Sequence, residues 1–128
     1  MGYCMSHVGG KFFIANKDKI NALKAIKELA KKQDGFRWVD NSEFAESKTI
    51  EEALGAWRWD TDVNNDGDIT SLSFTGEKMG DDITLFEAIA PYVKRDSIIE
   101  MSGEDGMRWA WYFDGEKCIE RDAIITYR

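Results

Sequence analysis

Asp62, Asn64, Asp66 and Asp68 put an oxygen-bearing side chain at every second position of the run Asp62-Val63-Asn64-Asn65-Asp66-Gly67-Asp68-Ile69. That spacing suits a hard cation, because Ca²⁺ takes about six to eight oxygen ligands and a glycine in the loop supplies the sharp bend. These four side chains are the candidate metal ligands, and Ca²⁺ is the one candidate cofactor. A tight hairpin would use the same residues. Asp66-Gly67 fits a type I′ turn, whose two central residues need positive φ. The hairpin is the preferred reading and the cation site is the alternative.

The other residues able to do chemistry are sparse or scattered. His7 is the single histidine, so no histidine cluster, Ser-His-Asp order or Cys-His order can be built around it. The carboxylates fall in turns and helix caps, where they have structural work. The segment Thr75-Gly76-Glu77-Lys78-Met79-Gly80 lacks both the P-loop and the dinucleotide spacing. Trp57-x-Trp59 and Trp109-x-Trp111-x-Phe113 would place their rings on one side of a strand, either as a stacking platform or, as we prefer, as a core wall under helices. Arg58 and Arg108 would then project from the opposite face together with Arg37, ready for an anionic partner group or paired with Glu100 and Glu120.

A length of 128 residues fits one domain spanning the whole chain, 1–128. Its 43% hydrophobic content and single proline supply a core and argue against a linker-joined pair. A net charge of −7 disfavours nucleic acid, whose phosphates need a clustered basic surface, and suits a cation or a basic protein partner. Cys4 and Cys118 lie at opposite ends with no C-x-x-C pair, which predicts two free thiols in a reducing compartment. Met1-Gly2-Tyr3-Cys4-Met5-Ser6 fits the N-myristoylation pattern, but no polybasic patch accompanies it. Without a leader or a spanning apolar stretch, the expectation is a soluble cytoplasmic protein with no membrane partner.

The patterning predicts elements that must position these groups. After a turn at Gly9-Gly10, residues 11–14 read as a strand, and Asn16 as the N-cap of an amphipathic helix to Lys32 with Ile20, Leu23, Ile26 and Ala30 on its apolar side. Residues 36–39 read as a second strand. Thr49 with Glu52 forms a capping box for a short helix from Ile50 that Gly55 ends. Strands follow at 56–63 and 68–74. A helix headed by Asp81-Asp82 then presents Ile83, Phe86, Ile89 and Ala90 until Pro91 ends or distorts it. A meander of 97–101, 108–113 and 117–127 closes the chain, with turns at Glu104-Asp105-Gly106 and Asp114-Gly115. The expected fold is α+β: a mostly antiparallel sheet of about five to six strands with two to three helices on one face.

The Asp62 to Ile69 run resembles the calcium loops of EF-hands and dockerin modules over about eight residues. It departs from them at Ser73, where those loops close with Glu or Asp, and strand-like rather than helical sequence follows. The string Gly103-Glu104-Asp105-Gly106-x-x-Trp109-x-Trp111-x-Phe113, with the opening Met1-Gly2-Tyr3-Cys4-Met5, is similar to small bacterial proteins encoded with phages and mobile elements. That group has no assigned activity. The resulting functional expectation is a non-catalytic acidic module that binds a protein partner, as an inhibitor, immunity or accessory factor. Glu104 and Asp105 at a hairpin tip, with Arg58 and Arg108, are the candidate contact residues. A calcium-stabilised module is the first alternative, and a small enzyme whose site assembles only in the fold is the second.

Overall fold

The computed structural model describes residues 2–122. The fold is α+β, and every strand pair in it is antiparallel. In chain order it comprises β1 (Met5–Lys11), α1 (Lys19–Lys32), α2 (Asn41–Ala45), α3 (Ile50–Ala56), β2 (Trp59–Val63), β3 (Ile69–Phe74), α4 (Asp82–Ile89), β4 (Ile98–Gly103), β5 (Arg108–Phe113) and β6 (Cys118–Asp122). Short 3₁₀ turns cover Asn16–Asp18 and Ala90–Tyr92, and Pro91 lies in the second of these, as the helix-stopping role of proline predicts. The six strands divide into a four-stranded sheet, β1-β4-β5-β6, and a separate ribbon, β2-β3.

Several expectations are corrected. Gly9-Gly10 is no turn: both glycines lie inside β1, whose register against β4 shifts between His7 and Gly9. A Cβ on Gly10, at φ 111°, would sit 2.1 Å from the Ile98 carbonyl oxygen, so close backbone approach explains that glycine. Residues 36–39 form a turn closed by one bridge instead of a strand. Asn16 caps nothing, since α1 begins at Lys19 and buries Ala22, Ile26 and Leu29. Ile20 lies about 160° around the helix from Ala22 and is 69% exposed. Helix α3 runs through Gly55 to Ala56, and the N-cap half of its predicted capping box forms: Thr49 Oγ1 accepts the Glu52 N–H at 3.1 Å, while Glu52 Oε2 accepts the N–H of Lys48, one residue before the cap. The meander is as expected through Asp122; residues 123–127 of its predicted last strand lie outside the described residues.

Alternation along the four-stranded sheet defines its two sides. Met5, Ile99, Met101, Trp109, Trp111, Phe113 and Cys118 are buried, while Glu100, Arg108, Ile119 and Arg121 are exposed. Phe86 of α4 is the hub under the inner side. Its ring centroid lies 5.1 Å from Trp59, 5.0 Å from Trp111 and 5.9 Å from Phe113, so one side chain joins the ribbon, the sheet and the helix. Trp57, Trp59, Trp109 and Trp111 are all buried, which fulfils the core-wall reading. They do not share a strand face, however. Trp57 is the C-cap of α3 and packs on Phe36 and Phe44, whereas Trp59 begins β2.

Phe86→Ala would remove the ring that all three layers share and leave a cavity. Equilibrium urea unfolding is expected to show a loss of about 3–5 kcal/mol.

Candidate functional site

The most heavily constrained region is the junction before α4. Asp82, 1% exposed, accepts the Trp59 indole N–H at 3.0 Å and the Gly80 N–H at 3.0 Å, and pairs with the Arg58 guanidinium at 3.4 Å. Burial pushes its carboxyl above the usual range, against the pull of those donors, and burial likewise lowers the Arg58 pKa. Arg58 also donates to the Lys78 carbonyl at 2.6 Å and stacks over Phe74 at 5.1 Å. It sits at φ 74°, immediately before β2. The expectation of an arginine on an open sheet face is therefore corrected for Arg58. Arg108 does lie on the exposed side of β5, opposite Ser102. Glu120, considered as an arginine partner, instead accepts the Trp111 indole N–H at 2.8 Å.

Beside this junction stands a residue whose sequence context predicts a strand. Trp38 has φ 64° and is 52% exposed. The Val39 N–H bonds the Phe36 carbonyl at 3.2 Å, which with Trp38 as the third residue gives the pattern of a type II turn. That position favours glycine, and for a bulky side chain it is a true outlier. Three contacts hold the turn. Phe36 is buried on Phe44 and Trp57, Asp81 Oδ2 accepts the Arg37 N–H at 2.8 Å, and Gly80 lies so near that a Cβ would meet the Arg37 carbonyl oxygen at 2.7 Å. The Trp38 indole is backed by glycine: Cβ atoms on Gly2 and Gly80 would lie 3.2 and 3.4 Å from ring carbons. Phe36-Arg37-Trp38-Val39 has the composition of a strand, so no local signal marks the indole as a surface group.

Three of the four candidate calcium ligands, Asp62, Asn64 and Asp68, are used in hydrogen bonds within the hairpin and to Asn16. Asn64 pairs its backbone with Asp68, and the Gly67 N–H bonds the Asn64 carbonyl at 3.1 Å. Only Gly67 has positive φ, so the connection is a three-residue loop ending in a left-handed glycine and not the predicted type I′ turn. Asn64 Oδ1 accepts the N–H groups of Asp66 and Asp68, and Asp62 accepts the Ser71 hydroxyl at 2.8 Å. Asp68 accepts the Asn16 N–H at 2.8 Å and the Asn64 amide at 3.2 Å; these bonds, the first foremost, hold its carboxyl below the usual range. Asp66 is exposed at the tip. Among the described residues no group of three or more His, Cys, Asp and Glu side chains is arranged to hold a metal ion.

Glu104 and Asp105 also occupy a three-residue hairpin, closed between Gly103 and Met107 with Gly106 at φ 85°. Both carboxylates turn to the N-terminal segment. Glu104 accepts the Cys4 N–H at 3.0 Å, and Asp105 accepts the Tyr3 hydroxyl and the Met107 N–H. The Tyr3 ring fits there because residue 103 is glycine, where a Cβ would overlap the phenol oxygen. The Tyr3 contact lowers the Asp105 pKa most, and it raises the Tyr3 pKa to about 12. Cys4 and Cys118 are free thiols; burial pushes Cys118 up to about 12.

No protein-family model, curated protein or solved structure matches this chain. No helix among the described residues is long and apolar enough to cross a membrane.

The two hairpins should respond differently to pH and to cations. The Tyr3 hydroxyl is protonated in the folded state well past its ordinary 10.0, so its contribution is complete below pH 10 and is lost as pH rises towards about 12. Asp105, with its folded pKa depressed below 3.8, contributes fully above pH 3.8 and loses that contribution as pH falls through the folded value. The melting-temperature gap between wild type and Tyr3→Phe should thus be flat between those limits and narrow on both sides. For the second hairpin, Asp68→Ala removes acceptors for Asn16 and Asn64. It is expected to lower the melting temperature by the same amount in EDTA and in millimolar Ca²⁺; a calcium-dependent rise in wild type that Asp68→Ala abolishes would instead establish the cation site.

Proposed function

We propose that this chain is a non-catalytic acidic module that binds a protein partner, with Trp38 at the centre of the contact. The observation that carries the reading is a half-exposed indole fixed in a left-handed backbone conformation. Such a residue costs about 1–3 kcal/mol and persists only where surrounding contacts determine it. Tryptophan is also the residue type most enriched among interface hot spots, because its large rigid surface buries much area at little entropic cost. The bonds of Asp82 with Arg58 and Trp59, and of Glu104 and Asp105 with the N-terminal segment, support structural rather than catalytic work for those groups. A role as an inhibitor, immunity or accessory factor of a phage or mobile element rests on the sequence resemblance alone.

The region differs from the contact surface expected from sequence. The Glu104-Asp105 tip is occupied with Tyr3 and Cys4, and Arg58 is drawn into the junction. Arg108 stays available on the outer side of the sheet.

Trp38→Gly separates the two kinds of role. Relief of left-handed strain offsets the removal of the ring's packing against Gly2 and Gly80, so stability should stay within about 1 kcal/mol of wild type. Tagged wild type recovered from its native host should carry a partner identified by mass spectrometry, and Trp38→Gly should not. Equal recovery of that partner by both proteins would refute the reading.

A further inference from the structure

We infer that the cavity between the end of β1, the start of β3 and the turn before β4 binds the phosphate group of a small soluble ligand, with Lys11, Lys94 and Arg95 supplying the charge. This site is independent of the Trp38 contact.

The cavity holds about 240 Å³, and its charged lining is three cations and one carboxylate: Lys11, Lys94, Arg95 and Asp96. In a chain of net charge −7 that is a local reversal of sign. All three cations are exposed, and none makes an ion pair among the described residues. The carboxylates around them are bonded elsewhere. Asp96 accepts the Tyr112 hydroxyl at 2.5 Å. Asp114, within electrostatic reach of Arg95, accepts the Lys117 and Glu116 N–H groups at 2.7 and 2.8 Å. Asp62, whose carbonyl Thr70 approaches at 3.4 Å, accepts the Ser71 hydroxyl. The two adjoining hollows bring no excess of negative charge either: one adds Lys17 with Asp18, and the other adds His7.

Backbone bonds hold the cationic wall in place. The Lys94 N–H bonds the Phe13 carbonyl at 2.8 Å, and the Asp96 N–H bonds the Phe113 carbonyl at 2.9 Å. The Ser97 N–H closes on the Lys94 carbonyl at 3.1 Å, which with Asp96 at φ 74° gives the pattern of a type II turn. Lys94 Nζ lies 5.3 Å from the centroid of the Phe13 ring, so its charge rests on an aromatic face and not on a carboxylate. Ser97, only 3% exposed, also lines the cavity. Its Oγ accepts the Phe13 N–H at 3.2 Å, which leaves the hydroxyl proton without an acceptor among the described residues. A buried donor with nothing to bond is costly, and an oxyanion supplies the missing acceptor.

Three cations and a hydroxyl donor suit a ligand with several acceptor oxygens and more than one charge. A phosphate dianion offers both, with a planar fork for arginine and point charges for the lysines, whereas a carboxylate brings two oxygens and one charge. A polyanion is disfavoured. Nucleic acid or an anionic membrane presents many phosphates in series, and beyond these three side chains it meets the field of an acidic protein.

The test is a titration of the ¹⁵N-labelled chain with inorganic phosphate at constant ionic strength, followed by amide chemical shifts. Saturable shifts are expected at Lys11, Phe13, Arg95 and Ser97. Lys94→Gln and Arg95→Gln, both at exposed positions without ion pairs, should each weaken binding about fivefold or more. Lys24→Gln makes the same change of net charge on α1, outside this cavity, and should leave binding unchanged. Acetate should bind more weakly than phosphate. A parallel titration with glycerol 3-phosphate separates the sources of the group: tighter binding than inorganic phosphate assigns an ester, weaker binding assigns the free ion, and either supports the site. Shifts that never saturate, or that respond to Lys24→Gln as much as to Lys94→Gln and Arg95→Gln, overturn it. Acetate binding as tightly as phosphate overturns the ligand class. Lys94-dependent binding to duplex DNA or phosphatidylserine vesicles, tighter than to phosphate, overturns the small ligand in favour of a polyanion.

Discussion

A single buried carboxylate sets much of this structure. Asp82 is taken out of water at the first turn of α4, and a charge so placed is tolerated only when bonded and paired. Its three partners come from two stretches of chain: the Arg58 guanidinium and the Trp59 indole at the head of β2, and the Gly80 N–H just before α4. Satisfying one group therefore fixes the β2-β3 ribbon against α4 and forces the chain into the path it follows from residue 77 to 81. The consequences spread along that path. Glu77 and Met79 exchange backbone bonds with Met5 and Tyr3, and Asp81 reaches the Arg37 N–H. The N-terminal strand and the Trp38 turn are thus both built on the bonds that settle Asp82.

Energetically the junction is an expensive choice. Desolvation of a buried ion pair offsets much of its attraction, so the pair defines an arrangement more surely than it adds stability. Arg58 and Trp38 each add left-handed strain of about 1–3 kcal/mol. The compensation lies in the aromatic layer beneath, where Phe86, Trp59, Trp111 and Phe113 are essentially inaccessible to water. Aromatic side chains of this size bury large areas, and their tilted and edge-on contacts add to that burial. Strain sits at the rim while the stabilising contacts sit in the centre.

Elements governed by local periodicity were legible in the sequence. The alternation in Arg108 to Phe113 and the Thr49-Glu52 cap each carry their cause within a few residues, and both are observed. Features that depend on distant partners were not. Asn41–Ala45 is a five-residue helix recognisable only once Asp40 is seen capping Ser42. The Gly9-Gly10 pair has turn composition, but the approach of the Ile98 backbone places it in a strand. Asp82 has the composition of an exposed helix cap, and only the arrival of Trp59 and Arg58 makes it a core group. The acidic tips show the same limit. Glu104 and Asp105 read as free carboxylates because Tyr3, about a hundred positions away in sequence, is invisible to a local window.

The chain's own usage of left-handed positions shows why Trp38 differs from an accident of folding. Where a turn asks only for backbone freedom the residue is glycine, as at Gly67, Gly106 and Gly115. At the three positions among the described residues where a non-glycine takes positive φ, two have a side chain bonded to another part of the same molecule. Arg58 bonds Asp82 and the Lys78 carbonyl, and Asp96 accepts the Tyr112 hydroxyl at 2.5 Å. Trp38 is the third, and glycine would serve its turn at lower conformational cost. The contacts its ring makes with Gly2 and Gly80 are with backbone that would pack without it, and half of the residue faces water. A strained tryptophan that its own turn does not need is the feature that the proposed partner contact would explain.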